Sequence, residues 1–166
     1  EQALELIEQY PDRFELIGIS GYTNIARIHE QILRYHPRYV AVSTASIANS
    51  LSKDYPKITF FHGEAGLLDL VQVDNADLVV SAIVGIAALN PTLCALASGK
   101  DIAIASKEVL VAAGQIVTDY CNKYNRNIYP IDSEHAAIDI CLKGVDASHV
   151  KRKILTASGG PFLNRP

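Results

Sequence analysis

The 166-residue chain predicts an α/β protein built on a mostly parallel sheet with helices on both faces. Three observations predict it. Short apolar runs alternate with helical patterns almost from end to end. The runs 78–84 and 102–105 are apolar and rich in β-branched residues. Helix start and stop signals sit between such runs, as at Asn90-Pro91 and Gly99. Alternating strands and helices imply parallel pairing with right-handed crossovers, and continuous apolar runs suit central strands buried on both sides.

In order, the apolar runs place strands at 14–20, 39–43, 58–61, 78–83, 102–105, 126–131 and 153–157. Between them, periodicity places helices at 25–35, 45–53, 65–71, 91–98, 108–124 and 133–142. Ile25, Ile28, Ile32 and Leu33 form one helical stripe. Asn90 is the expected N-cap with Pro91 in the first helical position, and Gly99 supplies the left-handed stop. Gly114 is expected to break the long helix after Glu108 into two pieces. A boundary is expected near Pro130, where the β-α rhythm gives way to an acidic junction and a later Ser-Gly-Gly-Pro turn.

Composition narrows the function. At 49% hydrophobic the chain buries a real core, and a net charge of −3 carries no sign of a nucleic-acid or membrane-surface binder. No apolar run is long enough to span a bilayer, and no targeting peptide opens the sequence. Cys94, Cys121 and Cys141 lack CxxC spacing and read as reduced core thiols of a cytosolic protein. The chain holds no methionine and opens inside an amphipathic helix carrying Ala3, Leu4 and Ile7, so it reads as a fragment. A dinucleotide-binding domain normally opens with a strand and a G-x-G-x-x-G turn. That pattern is absent, and the element is expected upstream of Glu1.

Four clusters fall at strand ends, where open α/β sheets collect their ligands. Ser81-Ala82-Ile83-Val84-Gly85 suits close backbone approach by a flat ring, although a glycine turn alone explains it. Ser106-Lys107-Glu108 delivers a hydroxyl, an ammonium and a carboxylate to one turn; the cation could stabilise charge developing on an enolate or alkoxide, and a solvated helix start is the plainer alternative. Asp132-Ser133-Glu134-His135 is the most informative. Its two carboxylates lie two residues apart, sharing a face if extended, and hard oxygen ligands suit a divalent cation. By itself the cluster reads better as a helix cap with Glu134 complementing the dipole. His135 reads as a packed or hydrogen-bonded histidine rather than a ligand. Two carboxylates leave an octahedral shell incomplete, so substrate oxygens, water or a further carboxylate must finish it. Thr156-Ala157-Ser158-Gly159-Gly160-Pro161 is turn chemistry, or a hydroxyl and backbone N–H groups gathered around a phosphate.

In this order the segments AIVGIAALNPTLCALASGKDIAIASKEVLVAAG, PIDSEHAAI and ILTASGGPF resemble the 1-deoxy-D-xylulose 5-phosphate reductoisomerase family, over essentially the whole chain. The resemblance implies a Rossmann-like NADPH-binding domain over 1–130, lacking its first strand and glycine-rich turn, and the start of an α+β catalytic domain over 131–166. It implies NADPH and Mg²⁺ or Mn²⁺ (Co²⁺ also) as cofactors. The implied substrate is a small sugar phosphate, isomerised and reduced to 2-C-methyl-D-erythritol 4-phosphate in non-mevalonate isoprenoid synthesis. Asp132 and Glu134 become metal ligands. Lys107, Ser133, Glu134 and Ser158 become substrate contacts, with Ser158 toward the phosphate, and Asn24, Ser106 and Glu108 match cofactor contacts. The family usually has Asn where this chain has Ser106 and Ala136, and a Gly-Lys-Asn-like turn where it has Tyr22-Thr23-Asn24.

A homodimer is implied for the whole protein, in a bacterial cytoplasm or, for a plant or alga, the plastid stroma. Neither nucleic acid nor a membrane is expected as partner, and the chain alone is expected to be inactive. Two alternatives share the same sheet: another NAD(P)-dependent oxidoreductase, such as a semialdehyde or homoserine dehydrogenase, and a non-catalytic nucleotide-binding module.

Overall fold

A computed structural model describes residues 2–155. The elements run α1 (Gln2–Gln9), β1 (Gly18–Ser20), α2 (Ile25–Tyr35), β2 (Tyr39–Val42), α3 (Ala45–Asp54), β3 (Thr59–His62), α4 (Gly63–Gln72) and β4 (Leu78–Ser81). After a 3₁₀ turn (Gly85–Ala88) come α5 (Leu89–Ala97), β5 (Asp101–Ile104), α6 (Lys107–Tyr124), β6 (Ile128–Pro130), α7 (Ser133–Leu142) and a second 3₁₀ turn (Ala147–His149). Every strand pairing among the described residues is parallel, in two three-stranded sheets ordered β1-β2-β3 and β4-β5-β6. The α/β fold expected from the sequence is therefore present.

Strand alternation assigns the faces of the first sheet. Ile19, Val40 and Val42 pack with Ile28 and Ile32 of α2 and with Ala48 and Leu51 of α3. The opposite face carries Gly18, Ala41 and Phe61, because successive residues of a strand point to opposite sides. There α4 crosses from β3 over β2 to β1. The crossing is close: a Cβ on Gly18 would lie 2.7 Å from Leu70, and one on Gly66 would lie 2.9 Å from the Phe61 backbone. Beyond β1, α4 packs against α5, and α5 against α6. That layer covers Ile102 and Ile104 of β5 with Ala95, Leu96, Val109 and Val117. The other face of the second sheet has less cover: Ala103 is buried, but Leu78, Val80 and Tyr129 are exposed.

Several boundaries differ from the sequence expectations, each for a local reason. The first strand starts at Gly18 rather than at residue 14, because the Phe14 N–H is taken by the Tyr10 carbonyl in the turn after α1. Asn90 does not open α5. The 3₁₀ turn runs straight into the helix, which starts at Leu89, and Pro91 falls within the first turn, where its missing N–H costs nothing. The break in α6 falls at Ala113, with φ −142° and ψ 27°, one residue before the expected Gly114. Gly99 has φ +79° as expected of a left-handed stop. Residues 153–155 form no strand, and the rest of that expected strand lies outside the described residues.

At the end of the second sheet opposite the strand-end clusters, one buried cation ties the chain together. Lys100, 3% exposed, donates from Nζ to the Val73 carbonyl (2.6 Å) and the Ala76 carbonyl (2.8 Å). It thereby closes the α4–β4 connection onto the start of β5. Replacing it by methionine keeps the volume but strands two carbonyls. We expect Lys100→Met to lower unfolding stability by about 1–3 kcal/mol, read from the urea midpoint at unchanged m-value. An unchanged midpoint would mean that water takes over both acceptors.

Candidate active site

Parallel registration carries three of the four clusters to one edge. Ser81 lies opposite Ile104, and Ile104 opposite Pro130, so the three chains leave the sheet side by side. The ladder runs on by one rung on each side: Ala105 N–H donates to the Ser81 carbonyl at 2.9 Å, and Ile131 N–H to the Ile104 carbonyl at 3.0 Å. Beyond it stand Ala82 to Gly85, Ser106 to Glu108, and Asp132 to His135.

Asp132 is the N-cap of α7, with φ −74° and ψ 150°, and accepts the His135 N–H at 3.1 Å. The His135 ring closes on the same carboxylate, Nδ1 to Oδ2 at 2.7 Å. Both bonds end on Oδ2, which leaves Oδ1 outside them. Burial pushes the Asp132 carboxyl up, but the His135 backbone N–H and ring together outweigh it and hold the group below the usual carboxylate range. Glu134 lies in the first turn of α7. Its own backbone N–H and the Ser133 hydroxyl (3.0 Å) hold it low; the Lys107 ammonium adds to this and Asp132 opposes it. Lys107, Asp132 and Glu134 thus share one electrostatic neighbourhood. An open groove of about 620 Å³ runs beside Ser133 and Glu134 along α7, lined further by Ile138, Cys141 and Arg152.

The other expected residues are placed differently. Ser106 is 5% exposed, and its hydroxyl donates to the Ile83 carbonyl. Glu108 is exposed in the first turn of α6, where it also complements the helix dipole. Asn24 caps α2, its Oδ1 accepting the Arg27 N–H at 3.0 Å, in the connection that follows β1 of the other sheet. Ser158 lies outside the described residues. Among the described residues there is no group of three or more His, Cys, Asp or Glu side chains able to hold a metal. Nor is any described helix long and apolar enough to cross a membrane.

One contact escaped the sequence. The Asp132–His135 ring pair was foreshadowed by i,i+3 spacing at a helix start, but the Ser106–Ile83 bond joins residues 23 apart and left no local signal. Asp132→Ala should cost about 1 kcal/mol at neutral pH, the usual value of a lost cap. Because the folded group titrates below its unfolded value of about 3.9, its stabilisation is present above that pH and is lost as pH falls through the lowered folded value. The gap between native protein and variant, followed by denaturant titration in chelator, should therefore close below about pH 4; a gap constant down to pH 2 would exclude the charged cap.

Comparison with known proteins supports one family. The family model for 1-deoxy-D-xylulose 5-phosphate reductoisomerase matches residues 1–114, and that for its C-terminal domain matches 128–166. The reductoisomerase of Thermoanaerobacter sp. (strain X514) is 47% identical over 99% of this chain, and that of Geobacter metallireducens 44% over 98%; in each case the chain spans 43% of the relative's length. A solved reductoisomerase from Zymomonas mobilis in complex with NADPH superimposes with a TM-score of 0.85 at 32% identity, covering 98% of this chain and 43% of that one. A reductoisomerase solved with NADPH, fosmidomycin and magnesium gives 0.79 at 33% identity, covering 87% and 36%. The chain belongs to the 1-deoxy-D-xylulose 5-phosphate reductoisomerase family.

Proposed function

We propose that this chain forms most of the nucleotide-binding domain (1–130) and the opening of the catalytic domain (131–166) of an NADPH- and divalent-metal-dependent enzyme. The whole protein would convert 1-deoxy-D-xylulose 5-phosphate to 2-C-methyl-D-erythritol 4-phosphate. The observation that carries this reading is the shared edge, where Lys107 and the Asp132–Glu134 pair leave neighbouring strands beside the turn at Val84-Gly85. The resemblance further implies a homodimer, in a bacterial cytoplasm or a plastid stroma.

The cofactor reading rests on topology. The first sheet builds outward from β1 and the second from β4, and α4 and α5 join the layers beside β1. In open α/β sheets the crevice where strand order reverses is the ligand site. A further parallel strand between β1 and β4, with its glycine-rich turn and helix, would complete the sheet and cover exposed Leu78 and Val80. Val84 is 86% exposed. Next to it Gly85 has φ +74°, and a Cβ there would meet no described atom within 4 Å. Such a turn offers a flat apolar shelf for a ring. Asn24 and Glu108 would contact the rest of the nucleotide.

Asp132, through Oδ1, and Glu134 are oxygen donors of the kind Mg²⁺ and Mn²⁺ take, and would hold the ion with ligands from outside the described residues. When bound, the ion supplies Lewis acidity to the substrate's ketone and neighbouring hydroxyl, and the nicotinamide supplies the hydride. The chain's own groups do the rest. Lys107 sets positive charge beside oxygens that become anionic in the transition state. The Ser133 hydroxyl, now turned to Glu134, orients a substrate oxygen, and Ser158 binds the phosphate.

Removing outer partners of metal ligands typically costs about 10–100-fold, so loss of a ligand should cost more. In the whole enzyme, Asp132→Asn and Glu134→Gln should each lower kcat by at least about 100-fold and weaken Mn²⁺-dependent binding of fosmidomycin in calorimetry. Near-native turnover in either variant rejects the metal assignment. Reduction of aspartate semialdehyde, or oxidation of homoserine, in place of turnover of deoxyxylulose phosphate would favour the other dehydrogenases.

A further inference from the structure

We infer that Ser106 is a positioning residue: its buried hydroxyl ties the strand-end turn 82–85 to the turn that presents Lys107, so the two walls of the site hold a fixed separation. The inference deepens the function proposed above and rests on it for the identity of what the walls grip.

The first observation is what Ser106 forgoes. It occupies the N-cap position of α6, with φ −87° and ψ 85°. A serine there ordinarily accepts a helix N–H, a cap worth about 1 kcal/mol. Here the hydroxyl instead donates across to the Ile83 carbonyl. The second is where the bond lies. The backbone ladder between β4 and β5 runs on to the bond from Ala105 N–H to the Ser81 carbonyl, and Ser106–Ile83 adds a side-chain rung beyond it. Third, side chains on both turns are exposed, Val84 and Ile86 on one side and Lys107 and Glu108 on the other, while the 3₁₀ turn Gly85–Ala88 reaches α6 only further on, through its buried end at Ala88. Finally, the interruption at Ala113 separates the first turns of α6 from its long remainder, so the body of that helix does not fix Lys107 by itself. A buried side-chain bond at the root of the two turns, added to the packing of the 3₁₀ turn on α6, holds their relative position.

The test uses amide hydrogen exchange on the whole enzyme, native and with Ser106→Ala or Ser106→Thr, alongside NADPH titration by fluorescence. Ser106→Ala should speed exchange at 83–86 and at 107–109 together by about tenfold, the effect of losing one ordinary hydrogen bond. Protection within β4 and β5 should stay native. NADPH should bind roughly tenfold more weakly, for the same lost bond. Ser106→Thr keeps the hydroxyl and should restore both readings. Unchanged exchange in the two turns, faster exchange throughout β4 and β5, or failure of threonine to restore the native pattern would each overturn the inference. The exchange arm needs no cofactor. If exchange behaves as expected but the native enzyme fails to bind NADPH, the tie between the turns stands and the proposed function falls.

Discussion

Parallel hydrogen bonding between β4, β5 and β6 is the constraint on which the rest of the site depends. In a parallel ladder all strands point the same way, so the residues following each strand emerge on one edge. Ser81, Ile104 and Pro130 share a level in that ladder. The chemistry-bearing residues that follow them are therefore neighbours, although they are separated by two whole helices in the chain. A shift of one residue in β5 would reverse which of Ile102, Ala103 and Ile104 meets the α5–α6 layer. The packing of Ile102 and Ile104 against Leu96 and Val109 thus guards the register, and through it the place of Lys107 beside Glu134.

Polar side chains divide their work between the two ends of this sheet. At the N-terminal end they are spent on the backbone. Lys100 closes two carbonyls, and Asp101 accepts the Asn127 N–H at 2.8 Å with further bonds from the Asn127 amide and the Tyr129 hydroxyl, both at 3.4 Å. The Asn127 backbone N–H leads in holding the Asp101 carboxyl below its usual range. At the C-terminal end Ser81 and Ser106 are buried, while Lys107, Glu108 and Ser133 remain exposed. One end is consumed in stability and the other is left available to a ligand.

The structural role of Asp132 is compatible with the chemical role proposed for it. It caps α7 and holds the His135 ring with one oxygen, which fixes the orientation of the carboxylate and leaves the second oxygen outside both bonds. The same turn places Glu134 where its own N–H, Ser133 and Lys107 favour the charged form. Two carboxylates held in this way would form a preorganised oxygen site for the proposed cation, and preorganisation lowers what binding must supply.

The sequence alone determined the alternation of strands and helices, the span of α7 to the residue, the left-handed stop at Gly99 and the chemical types at each strand end, because these follow from local periodicity and from backbone conformations open chiefly to glycine. It also carried the family, through four ordered motifs. Tertiary structure decided the rest. The start of α5 moved because a 3₁₀ turn fed into it, and β4, read as a strand buried on both sides, exposes Leu78 and Val80 because the described chain covers one face of its sheet less than the other. Asn24 and Asp132 are both helix caps by local rules, yet only strand order sets one in the connection that follows β1 and the other beside Lys107. The hydroxyl of Ser106, a cofactor contact by position, turned inward because a carbonyl 23 residues away came within its reach. Local patterns state what each residue can do, and pairing between distant strands states which residues do it together.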